Sequence, residues 1–577
     1  MANDTGYRAA AWTARCVVFF TVCIGVFAVA SRPARGATQP NVVVIFVDDL
    51  RFDGLDYMPI VRDRLAADGV VFENSFDTTP LCCPARASFL TGRYAHNHGV
   101  LSNHGPAGGF SAFNDASTIA TWLHDAGYST GFVGKYLNGY SAVSRYVPPG
   151  WDDWHGNAGG YFGYNLNENK IVVNYGTGDD DYSTDVFRER AVSFIEDHEA
   201  PFFLWLSLYA PHAPSTVATR HAGQCDGLGI TRPASHNEAD VSDKPAWVQA
   251  LPLAGPTRLA QMDEEDRRKI CSTKSADEAV GAVLDALGDR LDNTMVVFTS
   301  DNGLSWGDHR IRGKNCIYES CIRVPLVVRA PSLGATPGIR TQSALNIDLA
   351  PTIAEAAGVT PPTPVDGTSL APVLRDAAAP LRDDFLIEYS VDLSDPAAGL
   401  VTAVRNSRWK YVEHPDGETE LYDLVADPDE LQNVASEPAS AAVVAELKPR
   451  LAELRLAGTG APSITSTAPS SAVVGQAYQY MASATGNPPL TWQLAEAPEG
   501  MTVDDSGTVS WLPISGGTYP VRLDVSNAVA TATQSFEVSV AVPPTITSQP
   551  AASVIGGDSF TYAAMATGDQ PMRWSLV

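Results

Sequence analysis

The chain has 577 residues, of which 45% are hydrophobic and 18% charged, and its formal net charge is −27. It is too long for one ordinary core, so two or three folded domains are expected. The strong negative charge argues against nonspecific binding to nucleic acid or to an anionic membrane.

Arg8 and Arg15 precede an apolar run over residues 16–30, and small residues such as Ala28, Ala30, Gly36 and Ala37 close or follow it. This order of charge, apolar stretch and small residues predicts a secretory signal peptide over residues 1–37. The run is shorter than the roughly 20 apolar residues that normally cross a bilayer. The mature chain is therefore expected to be secreted, periplasmic or held at the cell surface, without a membrane span.

Residues 41–47 form an apolar, β-branched run ending at Asp48-Asp49, the pattern of a buried parallel strand. A polar, turn-rich loop over residues 74–80 leads to Cys82-Cys83-Pro84-Ala85-Arg86-Ala87-Ser88-Phe89-Leu90-Thr91-Gly92. Proline suits a first helical turn, which puts Cys82 at a helix N-terminus, an end that favours anions. Arg86 lies one turn further on. Helical patterns over residues 117–126, 185–196 and 275–287 alternate with strand-like runs at 128–133, 202–208 and 294–299. Those runs lead into Gly134-Lys135, Pro211-His212 and Ser300-Asp301-Asn302-Gly303. The alternation implies an α/β layered domain over residues 38–382, in which ligands bind beyond the carboxyl ends of the strands. Asp48, Asp49, Asp301 and Asn302 would gather there as hard oxygen donors suited to Ca²⁺ or Mg²⁺.

Residues 383–458 read as a small antiparallel sheet followed by a helix over residues 441–454. Beyond Gly458 the composition shifts to Ser, Thr, Ala, Pro and Val, and a repeat emerges. Ile464-Thr465-Ser466 recurs as Ile546-Thr547-Ser548, and Gly486 and Trp492 recur as Gly568 and Trp574 at the same offset. Short alternating strands between turn signals predict an immunoglobulin-like β-sandwich over residues 459–541 and the start of a second, truncated repeat over residues 542–577. Of eight cysteines, Cys16 and Cys23 fall in the signal segment. Export permits disulfides, and Cys225–Cys271 and Cys316–Cys321 are among the available pairings, with connectivity open.

The pattern Cys82-x-Pro84-x-Arg86 with Leu90-Thr91-Gly92 resembles the signature of the sulfatase family, and the likeness extends over about residues 39–455. The resemblance implies an alkaline-phosphatase-like sandwich, with a large, mostly parallel central sheet between helices. It implies that a formylglycine-generating enzyme oxidises Cys82 to formylglycine, whose hydrate attacks a sulfate ester. It makes Asp48, Asp49, Asp301, Asn302 and the modified Cys82 ligands of Ca²⁺, with Mg²⁺ as the other candidate. Arg86 would hold the hydrate or a metal-bound acid, and Lys135 and Lys314 the substrate sulfate. His212 would protonate the leaving oxygen, and His309 is a weaker candidate for substrate binding. With Cys82 set aside as a modified residue, Cys83 becomes the odd thiol, expected buried and inert.

Many arylsulfatases carry a histidine two residues after the first of these lysines; here Leu137 stands at that position, with Asn138 next to it. This variant resembles the N-acetylglucosamine-6-sulfatase branch and its extracellular heparan-acting relatives, as do Cys82-Cys83-Pro84 and Asp181-Tyr182-Ser183-Thr184-Asp185. The expected substrates are sulfated sugars such as N-acetylglucosamine 6-sulfate, or aryl sulfates; the acidic surface disfavours long polysulfated chains. Two alternatives stand beside this one. The first is a formylglycine-dependent hydrolase of phosphonate or phosphate esters. The second is a non-catalytic surface protein that binds sulfated glycans.

Overall fold

The computed structural model describes residues 39–391, 399–486, 490–527 and 529–550, with scattered positions from 553 to 575. The predicted signal segment lies outside the described residues. Among those described, no helix is long and apolar enough to cross a membrane.

Ten strands build the main sheet: β1 (Asn41–Val47), β2 (Val70–Phe72), β3 (Ser129–Lys135), β4 (Asp153–Asn157), β5 (Asn165–Glu168), β6 (Ile171–Asn174), β7 (Phe202–Ser207), β8 (Thr294–Ser300), β9 (Leu326–Arg329) and β10 (Gly338–Arg340). Their spatial order is β10-β2-β9-β8-β1-β7-β3-β4-β5-β6. The five strands β8-β1-β7-β3-β4 are parallel. β9 runs antiparallel to both its neighbours, and β5 and β6 close the other edge as antiparallel strands. The sheet is therefore mixed and mostly parallel, with β5 and β9 the two strands that run against the rest.

β1 lacks polar alternation because both its faces are covered. Val42, Val44 and Phe46 join one apolar core with Phe89 and Leu90, while Val43, Ile45 and Val47 join a second with Phe187 and Val280. Helix α1 (Cys82–Thr91) lies in the first of these layers and is buried along its whole length. The long helix α2 (Pro256–Leu287) contributes to the second. Gly92 ends α1 at φ 66°, and its N–H bonds the Ser88 carbonyl at 2.8 Å. A Cβ at that position would meet Val365 at 3.2 Å and Pro351 at 3.3 Å, so both conformation and space demand glycine.

Four antiparallel strands follow, Asp384–Ser390, Leu400–Asn406, Trp409–Glu413 and Thr419–Asp423, and helix α3 (Ala441–Leu454) packs on them through Leu447 and Leu451. Next come a four-stranded and a three-stranded sheet around Tyr480, Val509, Leu523 and Val538. The repeat is visible in backbone detail. Ser463–Ile464 pairs with Ala484–Thr485, and Thr545–Ile546 pairs with Ala566–Thr567 in the same way. Gly486 and Gly568, at φ 135° and 140°, occupy the same tight spot in each copy: a Cβ there would stand 2.8 Å from the Cα of a proline, Pro462 or Pro544. Both cysteine pairings named above are formed, and Cys82 and Cys83 remain free and buried.

Candidate active site

Parallel strands in register deliver their carboxyl ends to one edge. Val47 aligns with Ser300 and Phe46 with Ser207, so the residues after β1, β7 and β8 emerge together. After β1 the chain turns sharply, with Asp49 at φ 68°. The turn is pinned by the Asp49 N–H donating to Asp301 Oδ1 at 3.2 Å and the Leu50 N–H donating to Ser300 Oγ at 2.9 Å.

Opposite this edge, Cys82 opens α1, with its thiol 3.8 Å from Asp48 Oδ1. Lys314 Nζ lies 2.6 Å from the Cys82 sulfur and also bonds Asp49 Oδ1. Lys135, the last residue of β3, bonds Asp48 Oδ2. The Arg86 guanidinium is fully buried; Nε donates to Asp301 Oδ2 at 2.8 Å and a terminal nitrogen donates to the Lys135 carbonyl at 2.6 Å. The same nitrogen donates to Ser207 Oγ. His212 Nε2 stands 3.8 Å from Asp49 Oδ2, and its ring stacks on Tyr209 at 4.8 Å.

Three carboxylates thus face three permanent cations. Burial alone would raise the Asp48 carboxyl, but Lys135, His212, Arg86 and Lys314 outweigh it and hold the group well below the usual range. Asp301 moves the other way, raised by burial and by the Asp48 charge. Burial pulls the His212 imidazole down, yet the charges of Asp48 and Asp49 win and lift it to about 9. The Cys83 thiol is pushed up to about 12 by burial, which makes it a poor nucleophile beside Cys82.

The donor set fits a hard divalent cation. Ligand atoms of Asp48, Asp49, Cys82 and His212 lie within 4.8 Å of one another. Asn302 donates its amide N–H to Asp49 Oδ1 at 2.7 Å, while its Oδ1 is buried without a partner. A buried, unpaired amide oxygen beside three carboxylates is costly unless a cation takes it. Three permanent cations already offset the three carboxylates, so a divalent cation is expected to enter together with an anionic ester rather than alone.

Of the residues singled out in the sequence, Asp48, Asp49, Cys82, Arg86, Lys135, His212, Asp301, Asn302 and Lys314 come together here. His309 does not join them. It is buried elsewhere, with Nδ1 2.7 Å from Glu238 Oε2 and its ring 4.3 Å from that of Tyr318. Leu137 is fully buried in the first apolar core, so that position supplies no polar group. His96 pairs with Glu388 and His98 with Ser88 Oγ, which gives both histidines structural partners. Sequence reasoning missed Ser207, although it closes a strand-like run and the strand-end rule could have found it. It also missed Tyr209, and Asn103, which accepts the Cys83 N–H at 2.9 Å; no motif marks either. Asp77 was missed as well: its fully buried carboxyl has no hydrogen-bond partner and is raised by burial and by Asp301.

A family model described as Sulfatase matches residues 40–359, one described as N-sulphoglucosamine sulphohydrolase, C-terminal matches residues 307–457, and an Ig domain model matches residues 461–541. An arylsulfatase of Volvox carteri is 33% identical over 505 residues, covering 75% of this chain and 77% of its own. The N-acetylglucosamine-6-sulfatase of Homo sapiens is 30% identical over 464 residues, covering 72% and 83%. An extracellular sulfatase SULF-1 homolog of Drosophila melanogaster is 32% identical over 381 residues, which cover 62% of this chain and 34% of that longer protein. Among solved structures, one in complex with its substrate D-glucosamine-2-N,6-O-disulfate shares the fold with a TM-score of 0.63 at 24% identity, over 73% of this chain and 98% of the other. A phosphonate monoester hydrolase of Agrobacterium radiobacter aligns with a TM-score of 0.61 at 25% identity, over 73% and 98%.

Proposed function

The chain belongs to the sulfatase family and is a sulfuric ester hydrolase, and from that premise we propose that it is exported, carries formylglycine at position 82, and cleaves sulfate monoesters of small amino sugars. The observation that carries this proposal is the placement of Cys82, which sits at a helix N-terminus 2.6 Å from Lys314 Nζ and beside the Asp48–Asp49 turn. The names of the N-acetylglucosamine-6-sulfatase and extracellular relatives support the sugar and the export.

Asp48, Asp49, Asp301 and Asn302 would hold a calcium ion, which supplies positive charge against the hydrate oxygen and the sulfate oxygens. Lys135 and Lys314 bind and orient the sulfate between them, and the α1 N-terminus adds its partial charge. One hydroxyl oxygen of the formylglycine hydrate bonds to sulfur, and its proton passes to the carboxylate cluster. The bond from sulfur to the sugar oxygen breaks as His212 gives that oxygen a proton. The second hydroxyl then gives its proton to the now neutral His212, the carbon–oxygen bond to sulfate breaks, and the aldehyde returns to be rehydrated by water.

His212 is protonated at neutral pH when raised as described, so it starts as an acid; that proton is lost as pH rises through about 9. Calcium on Asp48 and Asp49 would cancel part of the lift and move this limb lower. His212→Ala is expected to reduce kcat on a sugar sulfate by about 10²–10⁴-fold. With 4-nitrophenyl sulfate the loss should be far smaller, because that leaving group departs without a proton. Steady-state kinetics on both esters checks this, and equal losses would remove His212 from the acid role.

The phosphonate monoester hydrolase neighbour keeps a second possibility in view. Turnover of 4-nitrophenyl sulfate and of 4-nitrophenyl phenylphosphonate should be compared before chelation, after it, and after calcium is restored. The sulfate ester should have the higher kcat/KM, lose it on chelation and regain it with calcium. Higher phosphonate turnover would favour the alternative.

A further inference from the structure

Lys314 projects from an irregular stretch of chain. His309, Arg310, Gly313 and Asn315 have φ of 49°, 65°, 141° and 64°, and Arg312–Gly313 pairs with Ser305–Trp306 over two residues only. Repeating backbone bonds therefore do not aim the Lys314 side chain. Three hydrogen bonds help. The Asn315 N–H donates to the Pro80 carbonyl at 2.9 Å, the Asn315 amide to the Ser390 carbonyl at 3.0 Å, and the Lys410 ammonium to the Ile317 carbonyl at 2.9 Å. The remaining tie is covalent, the bond from Cys316 to Cys321.

Cys321 lies on the short helix Glu319–Ile322, where other loops of the site meet. The Gly303 N–H, one residue after Asn302, donates to the Cys321 carbonyl at 2.9 Å. A Cβ on Gly303 would stand 2.6 Å from the Ser320 carbonyl oxygen and 2.8 Å from that of Cys321, so the turn carrying Asp301 and Asn302 lies directly on this helix. The Asp77 N–H, in the loop that leads to Cys82, donates to the Ile322 carbonyl at 2.8 Å. The Glu430 carboxylate takes the Glu319 N–H at 2.7 Å. The bridge thus joins the Lys314 stretch to a helix gripped by both the acid turn and the Cys82 loop. Its sequence separation is 5, against 46 for Cys225–Cys271. A short loop constrains the unfolded chain least, so this bridge does little for overall stability and its effect is local. Both its cysteines are buried in the apolar cluster under the C-terminal sheet.

We propose that the Cys316–Cys321 bridge is a positioning link for Lys314: it holds the ammonium 2.6 Å from the Cys82 sulfur and thereby sets the affinity for sulfate. The proposal rests on the sulfate-binding role given to Lys314. Neither cysteine touches the reacting atoms; both act through the lysine. The site is then redox-sensitive. A dithiol reductant gives two electrons to the bridge, which leaves Cys316 and Cys321 as thiols and the reagent as its own disulfide. The product is a folded protein with a weaker sulfate site, so full affinity belongs to the oxidised chain.

The test is a double-mutant cycle on calcium-loaded protein: wild type, Lys314→Ala, the pair Cys316→Ala with Cys321→Ala, and all three changes together. Calorimetry gives Kd for inorganic sulfate, and kinetics give KM and kcat for 4-nitrophenyl sulfate. The cysteine pair should raise Kd and KM about tenfold and change kcat less, because a displaced cation weakens sulfate binding in ground and transition states alike. In the Lys314→Ala background the same pair should change Kd by less than about twofold. A rise of equal size in both backgrounds, or none in either, overturns the link. Should the pair fail to fold, wild type in dithiothreitol answers instead, with alkylation and peptide mass confirming that Cys316 and Cys321 are reduced. The same rise in Kd sustains the link, and an unchanged Kd overturns it. If the wild type cleaves no sulfate ester, the sulfatase mechanism at Cys82 fails, and the sulfate Kd values still decide the link. If Lys314→Ala leaves Kd and KM unchanged, the role of Lys314 falls and the link falls with it, whatever the turnover.

Discussion

Cys82→Ala is expected to lower kcat on sulfate esters by at least about 10⁴-fold, whereas Cys83→Ala should leave kcat near its original value. The two thiols are adjacent and both buried, so accessibility does not separate them. Geometry does. Cys82 is the first residue of α1 and contacts both Lys314 and Asp48. Cys83 lies in the apolar core on the helix's other side, with its thiol raised to about 12 by burial. A thiolate suits attack on carbonyl carbon better than on sulfur screened by anionic oxygens, and a hydrated aldehyde supplies both the oxygen nucleophile and a second hydroxyl to expel sulfate. Conversion of Cys82 should lower the mass of its peptide by about 18 Da, and mass spectrometry of the active protein reads this directly. Full turnover by Cys82→Ala, or by protein whose Cys82 peptide keeps its unmodified mass, would sink the formylglycine mechanism.

The residues at strand ends were legible because the same rule fixes both fold and site. Where a buried apolar run ends, the next residues stand at the carboxyl edge of the sheet. Asp48, Asp49, Asp301, Asn302 and Lys135 follow from this without knowledge of the third dimension. Lys314 and Arg86 needed the motif, since neither closes a strand. The mixed character of the sheet was not legible: β9 is a buried four-residue strand, and strand direction leaves no trace in so short an apolar run. His309 shows the opposite failure. The resemblance offered it as a weaker candidate for substrate binding, but φ 49° at His309 and 65° at Arg310 turns the chain, and the imidazole is drawn to Glu238, a partner 71 positions away.

Arg86→Met should be the most destabilising single change near the site, costing about 3–5 kcal/mol in calcium-free solution. The methionine fills much of the space but provides no hydrogen-bond donor. Asp301 Oδ2, the Lys135 carbonyl and Ser207 each lose a partner, and Asp48 loses a cation 3.6 Å away. All of these groups are buried, so water cannot replace what is lost. Arg86→Lys restores the charge without the fork, because one ammonium on a flexible stem cannot serve Asp301, the carbonyl and the hydroxyl in their fixed directions; it should recover only part of the loss. Calcium discriminates this account from simple loss of packing. Removing Arg86 leaves the Asp48, Asp49 and Asp301 carboxylates with two permanent cations in place of three, so a bound divalent cation should compensate and the deficit should shrink as calcium is added. Equilibrium denaturation of wild type, Arg86→Met and Arg86→Lys in chelator and in calcium measures all of this. A deficit that calcium leaves unchanged would place the role of Arg86 in packing alone, and a deficit below about 1 kcal/mol in chelator would show that the buried acids do not depend on it.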